Sequence, residues 1–132
     1  MLLGIGAHDR LDVAVSLETQ RQRARGFMMA YCEAIWLGKA NKNVALASFR
    51  KHMREQDPRR LETLHKNYVV DALPLKPYPM EEVIQAEMEN LTTTVAEFRG
   101  KKAADFVDKS LLADLDREGF FNQLASKYGK QS

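Results

Sequence analysis

Three pairs of carboxylates, Glu81/Glu82, Asp105/Asp108 and Asp114/Asp116, are the residues best suited by type and spacing to acid–base chemistry. Hydrolysis by two carboxyl groups needs one held protonated and one ionised, so the two must lie in unlike surroundings. The neighbouring sequence points elsewhere. Glu81 and Glu82 follow Pro79 and fall in the first turn of a helix, where the dipole favours negative charge. Asp108 stands where a helix cap belongs, ahead of the apolar-periodic stretch KSLLADLD. All three pairs are therefore expected to be structural. His8, His52 and His65 lack the i, i+4 pairing of a helix-borne metal site and should be solvated or capping, with no metal and no cofactor. Cys32 lies between Tyr31 and Glu33, and as a nucleophile it would need a base brought from elsewhere in the fold. A free cysteine on an apolar helical stripe packs as a small hydrophobe, which is the expectation here. Being single, it excludes an internal disulfide and leaves the compartment undetermined. No catalytic or metal-binding residue is assigned, ligand-binding residues are unknown, and no enzymatic activity is expected.

The cations divide into two groups. Arg21, Arg23 and Arg25 alternate, which spreads them around a helix rather than along one stripe. Arg50, Lys51, His52 and Arg54, followed by Arg59 and Arg60, are denser, but Glu55, Asp57 and Glu62 dilute their field and no aromatic stacking platform accompanies them. Across the chain 20 basic and 18 acidic residues give a net charge of +2, so neither nucleic acid nor membrane insertion is expected. With 45% hydrophobic and 29% charged residues, the 132-residue chain can bury one core and should be soluble.

The elements that must position these residues are helical almost throughout, and the periodicity predicts an all-α fold of five or six helices over residues 17–128. Residues 1–16 form an irregular or single-strand N-terminal segment, with alternation at Leu11–Val15, and residues 129–132 a tail. Ala24, Phe27, Met28, Tyr31, Cys32, Ile35 and Trp36 recur at threes and fours on a helix from about Leu17 to Lys39, with Gly38 marking its end. Asn41 should cap a second helix, Lys42–Arg54, burying Val44, Ala47 and either Leu46 or Phe49. Asp57-Pro58 is a strong start signal for a third, running to about Ala72 with a stripe of Leu61, Leu64, Tyr68 and Val69. The three prolines of LPLKPYP, Leu73–Pro79, enforce an extended linker. Rigid between two of them, Tyr78 should staple onto a neighbour. Pro79 opens a fourth helix that buries Met80, Val83, Ile84, Met88 and Leu91 and stops at Thr92–Thr94. Val95–Arg99 forms a short turn closed by Gly100. Asp108 caps Lys109–Glu118, Gly119 is a left-handed stop, and Phe120–Tyr128 is a last short helix.

Three of these stretches carry a resemblance: FVDKSLLADLDREGFF at Phe106–Phe121, YVVDALPLKPYPMEEVIQAEMENL at Tyr68–Leu91 and RGFMMAYCEAIW at Arg25–Trp36. Together they resemble the C-terminal part of ABC-transporter solute-binding proteins of the nitrate/sulfonate/taurine type, relatives of the thiamine-pyrimidine binders. The resemblance runs from about Gly26 to Tyr128, with Tyr31, Trp36, Tyr78, Asp108, Gly119 and Phe120 as the matching positions. It implies a piece of a two-lobe α/β receptor that captures a solute for an importer. The C-terminal helices would brace the lobes, while most solute contacts would come from the part absent here.

The implied partners are the missing receptor lobes or a second copy, and an ABC permease for the full-length receptor. The implied compartment is the periplasm. The opening MLLGIGAHDR lacks the basic segment and long apolar run of a secretory signal, so the chain as written is expected in the cytoplasm. Helices shaped to cover a sheet should leave Phe27, Tyr31, Ile35 and Trp36 exposed, and such a face finds a partner. The alternative function is a free-standing helical interaction or dimerisation module. A small hydrolase or metal-dependent enzyme built on the acidic pairs would require Asp or Glu to converge with a histidine in one pocket.

Overall fold

The computed structural model describes residues 20–130, and these fold into six α-helices with no strand among them. The Leu11–Val15 segment, the expected helix start at Leu17 and His8 lie outside the described residues. Helix α1 spans Arg21–Ala40, α2 Lys42–Ser48, α3 Pro58–Leu64, α4 Glu81–Leu91, α5 Ser110–Arg117 and α6 Phe120–Tyr128. Wider π-helical turns extend α2 through Phe49–Met53 and α3 through His65–Ala72, so both helical stretches end close to where the sequence places them. Short 3₁₀ turns occupy Ala96–Phe98 and Ala103–Phe106.

The cap chemistry is local. Asn41 accepts the Val44 amide through Oδ1 at 3.2 Å, and Asp57 Oδ1 accepts the Arg59 amide at 2.8 Å with Pro58 in the first turn. Each cap of this kind is worth about 1 kcal/mol. Asp108 Oδ1 accepts the Ser110 amide at 2.8 Å, although the helix behind it begins at Ser110 rather than Lys109. Gly119 joins α5 to α6 at φ 81°, a left-handed conformation that a side chain rarely adopts.

The main core forms where α1, α5 and α6 meet. Cys32 and Trp36 from α1, Leu112 and Leu115 from α5, and Phe120, Phe121 and Leu124 from α6 make one buried cluster. Each fully buried Leu or Phe contributes about 1.5–3 kcal/mol. Leu75 and Tyr78 of the proline linker pack against the cluster. The Trp36 indole Nε1–H donates to the Leu75 carbonyl at 3.0 Å, and Lys76 Nζ reaches Asp116 of α5 at 2.7 Å. The linker is thus strapped along the core, and Tyr78 is the packing element expected of it.

Several expected faces are displaced. On α1, Ile35 and Trp36 are buried while Phe27 is 73% exposed and Tyr31 is exposed, so the open face expected over all four is limited to the latter two. Gly38 does not end α1. A Cβ there would stand 3.2 Å from Val69 Cγ1, so the missing side chain lets α3's π-helical extension approach. On α2 the buried residues are Ala45 and Leu46, with Val44 and Ala47 exposed. Along the third helical stretch Leu61, His65 and Val69 face inward, spaced i, i+4, i+8, and Tyr68 is exposed. His65 is therefore not solvated; of the two expected roles it takes the capping one, at the C-terminal end of α1. On α4 only Met88 is buried, Ile84 is half-buried, and Met80, Val83 and Leu91 are exposed.

Candidate functional site

The carboxylates named for chemistry lie on the surface; Glu81 and Glu82 border one shallow hollow with Gln85 and Lys102, Glu82 forms no ion pair among the described residues, and the others are engaged one by one. Glu81 pairs with Lys109, Asp105 Oδ2 accepts the Lys102 amide at 3.3 Å, and Asp116 pairs with Lys76. Asp114 holds both Arg21, at 2.8 Å, and Arg117. The Arg21 guanidinium keeps the Asp114 carboxyl below the usual range, and hydrogen bonds from Ser110 do the same for Asp108. Neither shift is the upward one a general acid requires. His52 is exposed, His65 is buried on another element, and no group of three or more metal-ligating side chains exists among the described residues.

Cys32 is fully buried and desolvation pushes its thiol up to about 11. Desolvation disfavours the thiolate, the opposite of what activates a nucleophile. His65 Nε2 lies 3.0 Å from the Gly38 carbonyl, one of the last four carbonyls of α1 that lack an intrahelical partner. Lys39 Nζ donates in return to the Val70 carbonyl at 2.6 Å. This reciprocal lock between the end of α1 and the extension of α3 was not anticipated. Its signal was the i, i+4, i+8 set Leu61–His65–Val69, which competes with the Leu64–Tyr68 stripe over the same stretch.

Arg21 and Arg25 are not scattered around α1. Four residues apart, they share one face, and they meet Asp114 and Glu118, which are also four apart on and just beyond α5. Glu33 continues the ladder to Lys127 of α6 at 2.6 Å and accepts the Tyr128 hydroxyl at 2.7 Å. Lys127 and Tyr128 hold the Glu33 carboxyl below its ordinary value, and Glu33 raises Lys127. The three rungs keep nearly one register, with separations of 93, 93 and 94 residues. The pair α5–α6 therefore runs alongside α1 in the same sense. Such exposed pairs are screened by solvent and contribute little to stability, so their main effect is to fix register.

The first open hollow is apolar. A hollow of about 320 Å3 lies between α1, α2 and the end of α3, walled by Ile35, Leu37, Ala45, Phe49, Val69 and Leu73. Tyr31 and Val44 stand exposed among its lining residues. Beyond the Tyr31 hydroxyl and Ser48 it holds no polar side chain, so it can accept an apolar group but cannot orient a charged one. A second hollow, about 520 Å3, lies along α3 and includes Met53, Arg59, Arg60, Leu64 and Tyr68. No helix among the described residues is long and apolar enough to cross a membrane. The chain matches no known family model, no curated protein and no solved structure.

Of the six positions on which a receptor resemblance was expected, Trp36 and Phe120 lie in the core cluster and Tyr78 packs on it. Gly119 and Asp108 shape the two ends of α5. Tyr31 is the exception, standing at the first hollow.

Proposed function

We propose that this chain is the C-terminal part of a solute-binding receptor of an ABC importer, non-catalytic and without a complete ligand site of its own. The observation that supports the reading is that five of the six resembling positions serve one packed unit, α1–linker–α5–α6, while Tyr31 faces an uncovered apolar hollow. A brace has this pattern: a rigid interior and an apolar face left for the lobes it supports. In this reading the remaining lobes cover Tyr31 and Val44, the solute contacts lie in those lobes, and the full receptor works in the periplasm with an ABC permease.

The test is uptake in the source organism. Deleting the gene that encodes this chain should abolish high-affinity uptake of one member of a panel of nitrate, alkyl sulfonates, taurine and pyrimidines, and the full gene should restore it. Unchanged uptake across that panel, with the protein found in the cytoplasmic fraction, would overturn the proposal. The second reading is a free-standing interaction module. It draws on the same uncovered hollow and expects the isolated chain to bury Tyr31 against a second copy.

A further inference from the structure

Away from the Tyr31 hollow, two other surfaces are left open, and they complement each other. At the N-cap and along α4 the exposed residues Met80, Val83 and Leu91 follow one another at three and eight residues, with Glu87 between the last two. At 100° per residue these four fall within about 80° of arc, bordered on one side by half-buried Ile84 and buried Met88. Met80 is 64%, Val83 51% and Leu91 44% exposed, so the stripe is apolar, bare and centred on a carboxylate. Glu87 and Glu82 pair with no cation among the described residues.

The second surface is the hollow along α3. Exposed Met53 and Tyr68 line it with Leu64, and Arg59, Arg60, Glu55, Thr63 and Asn67 lie among them. Arg59 has no carboxylate partner among the described residues, and Arg60 has only Glu55 at 3.6 Å. Arg50, Lys51 and Arg54, also without such partners, precede it in the adjoining π-helical turn and at its end. Other cations are paired elsewhere: Arg21, Arg25 and Lys127 on the α1–α5–α6 ladder, Lys76 on the linker, and Lys42, Lys66 and Lys109 with Glu62, Asp71 and Glu81. One surface is thus a mixed groove in which Met53, Leu64 and Tyr68 stand beside two guanidinium groups and one carboxylate, Glu55, and the other an apolar helix stripe carrying a carboxylate at its middle. A helix whose apolar anchors recur at this spacing is the usual occupant of such a groove.

We infer that α4 of one copy of this chain docks into the Met53–Arg59–Tyr68 groove of a second copy, with Glu87 facing Arg59 and Arg60. Both surfaces lie on every copy, so a two-fold arrangement makes the contact twice and closes the assembly as a dimer. The inference does not depend on the receptor reading, because it uses neither the Tyr31 hollow nor the core positions that support that reading. The charges set partner and register, and the apolar anchors supply the affinity.

A charge exchange tests it. Arg59→Glu with Arg60→Glu places acids in the first turn of α3, where they suit the helix dipole, and Glu87→Arg alters an exposed α4 position. Circular dichroism should show both variants folded. Sedimentation of the full chain at 20 mM salt should give a dimer for the wild type, and each variant alone should dissociate at least tenfold more readily. Mixed in equal amounts, the two variants should recover the dimer, because in the mixed pair each groove meets an α4 of opposite charge. The inference is overturned by a wild type that stays monomeric at 100 µM, by variants that dimerise undiminished, or by a mixture that fails to recover. An association lost in Tyr31→Ser but indifferent to the charge exchange would place the interface at the other hollow and equally overturn it.

Discussion

The α1–α5–α6 unit and the α4 arm begin from the same kind of sequence and end differently. Both are amphipathic stretches with apolar residues at threes and fours. In the first, the periodic residues Cys32, Trp36, Leu112, Leu115 and Leu124 all reach one core. In the second, Met88 alone is buried, and α4 is held by its short neighbours. Gln85 Oε1 accepts the Ala103 amide at 2.8 Å, Phe98 and Phe106 meet edge to face at 5.9 Å, and Lys109 pairs with Glu81. Periodicity reports that a face is apolar. Whether a partner element is present to cover it depends on the rest of the fold, and on α4 Val83 and Leu91 stay exposed.

The contrast can be broken first at Leu115, which is fully buried. Leu115→Ala should cost about 2–5 kcal/mol in urea unfolding followed by Trp36 fluorescence. Met88→Ala should instead lower the far-ultraviolet helix signal and leave the Trp36 emission of the native state in place, because α4 lies outside the Trp36 cluster. Equal loss of both signals would make the arm part of the core. Next comes Trp36→Phe, which keeps an aromatic ring in the core but strands the Leu75 carbonyl. A loss of about 1–3 kcal/mol is expected by calorimetry, with the proline linker becoming accessible to protease. Gly119→Ala should cost about 1–2 kcal/mol in the same measurement, since nothing lies within 4 Å of the added Cβ and only the left-handed backbone objects.

Alkali sharpens the comparison further. The Cys32 thiol is raised from 9.0 to about 11 in the fold, so the folded state holds its proton over a range where the unfolded chain has lost it. The contribution is complete below pH 9 and disappears as pH rises through about 11, so stability should fall across that window. Cys32→Ala should flatten this part of the profile. Smallest of all is Arg23→Ala. Unlike Arg21 and Arg25 it meets no carboxylate among the described residues, and melting should shift within about 0.5 kcal/mol.

Much of the architecture was legible because it is written locally. The caps at Asn41 and Asp57, the extended Leu73–Pro79 linker, the left-handed Gly119 and the span of α6 follow from residues within a turn of the feature they create. What was not legible depends on elements distant in sequence. Gly38 has the composition of a helix stop, yet its lack of a side chain serves Val69, which lies 31 positions later. His65 reads as solvated or capping, and only the end of α1 placed beside it decides for the cap. Arg21 and Arg25 become a face only once Asp114 and Glu118 are in register. For the candidate surfaces, the sequence located Tyr31 and Phe27 as an apolar face but extended it to Ile35 and Trp36, which α2, α3 and the C-terminal helices cover.

Hydrogen exchange of the native chain, held as a monomer by dilution, tests the difference between the two regions most directly. Amides of α1, α5 and α6 should share one slow class that exchanges through global unfolding, while those of Val83–Leu91 exchange through local opening at least a hundredfold faster. Protection of α4 equal to that of α5 in the dilute monomer would contradict the account, because the arm would then belong to the core despite its bare face.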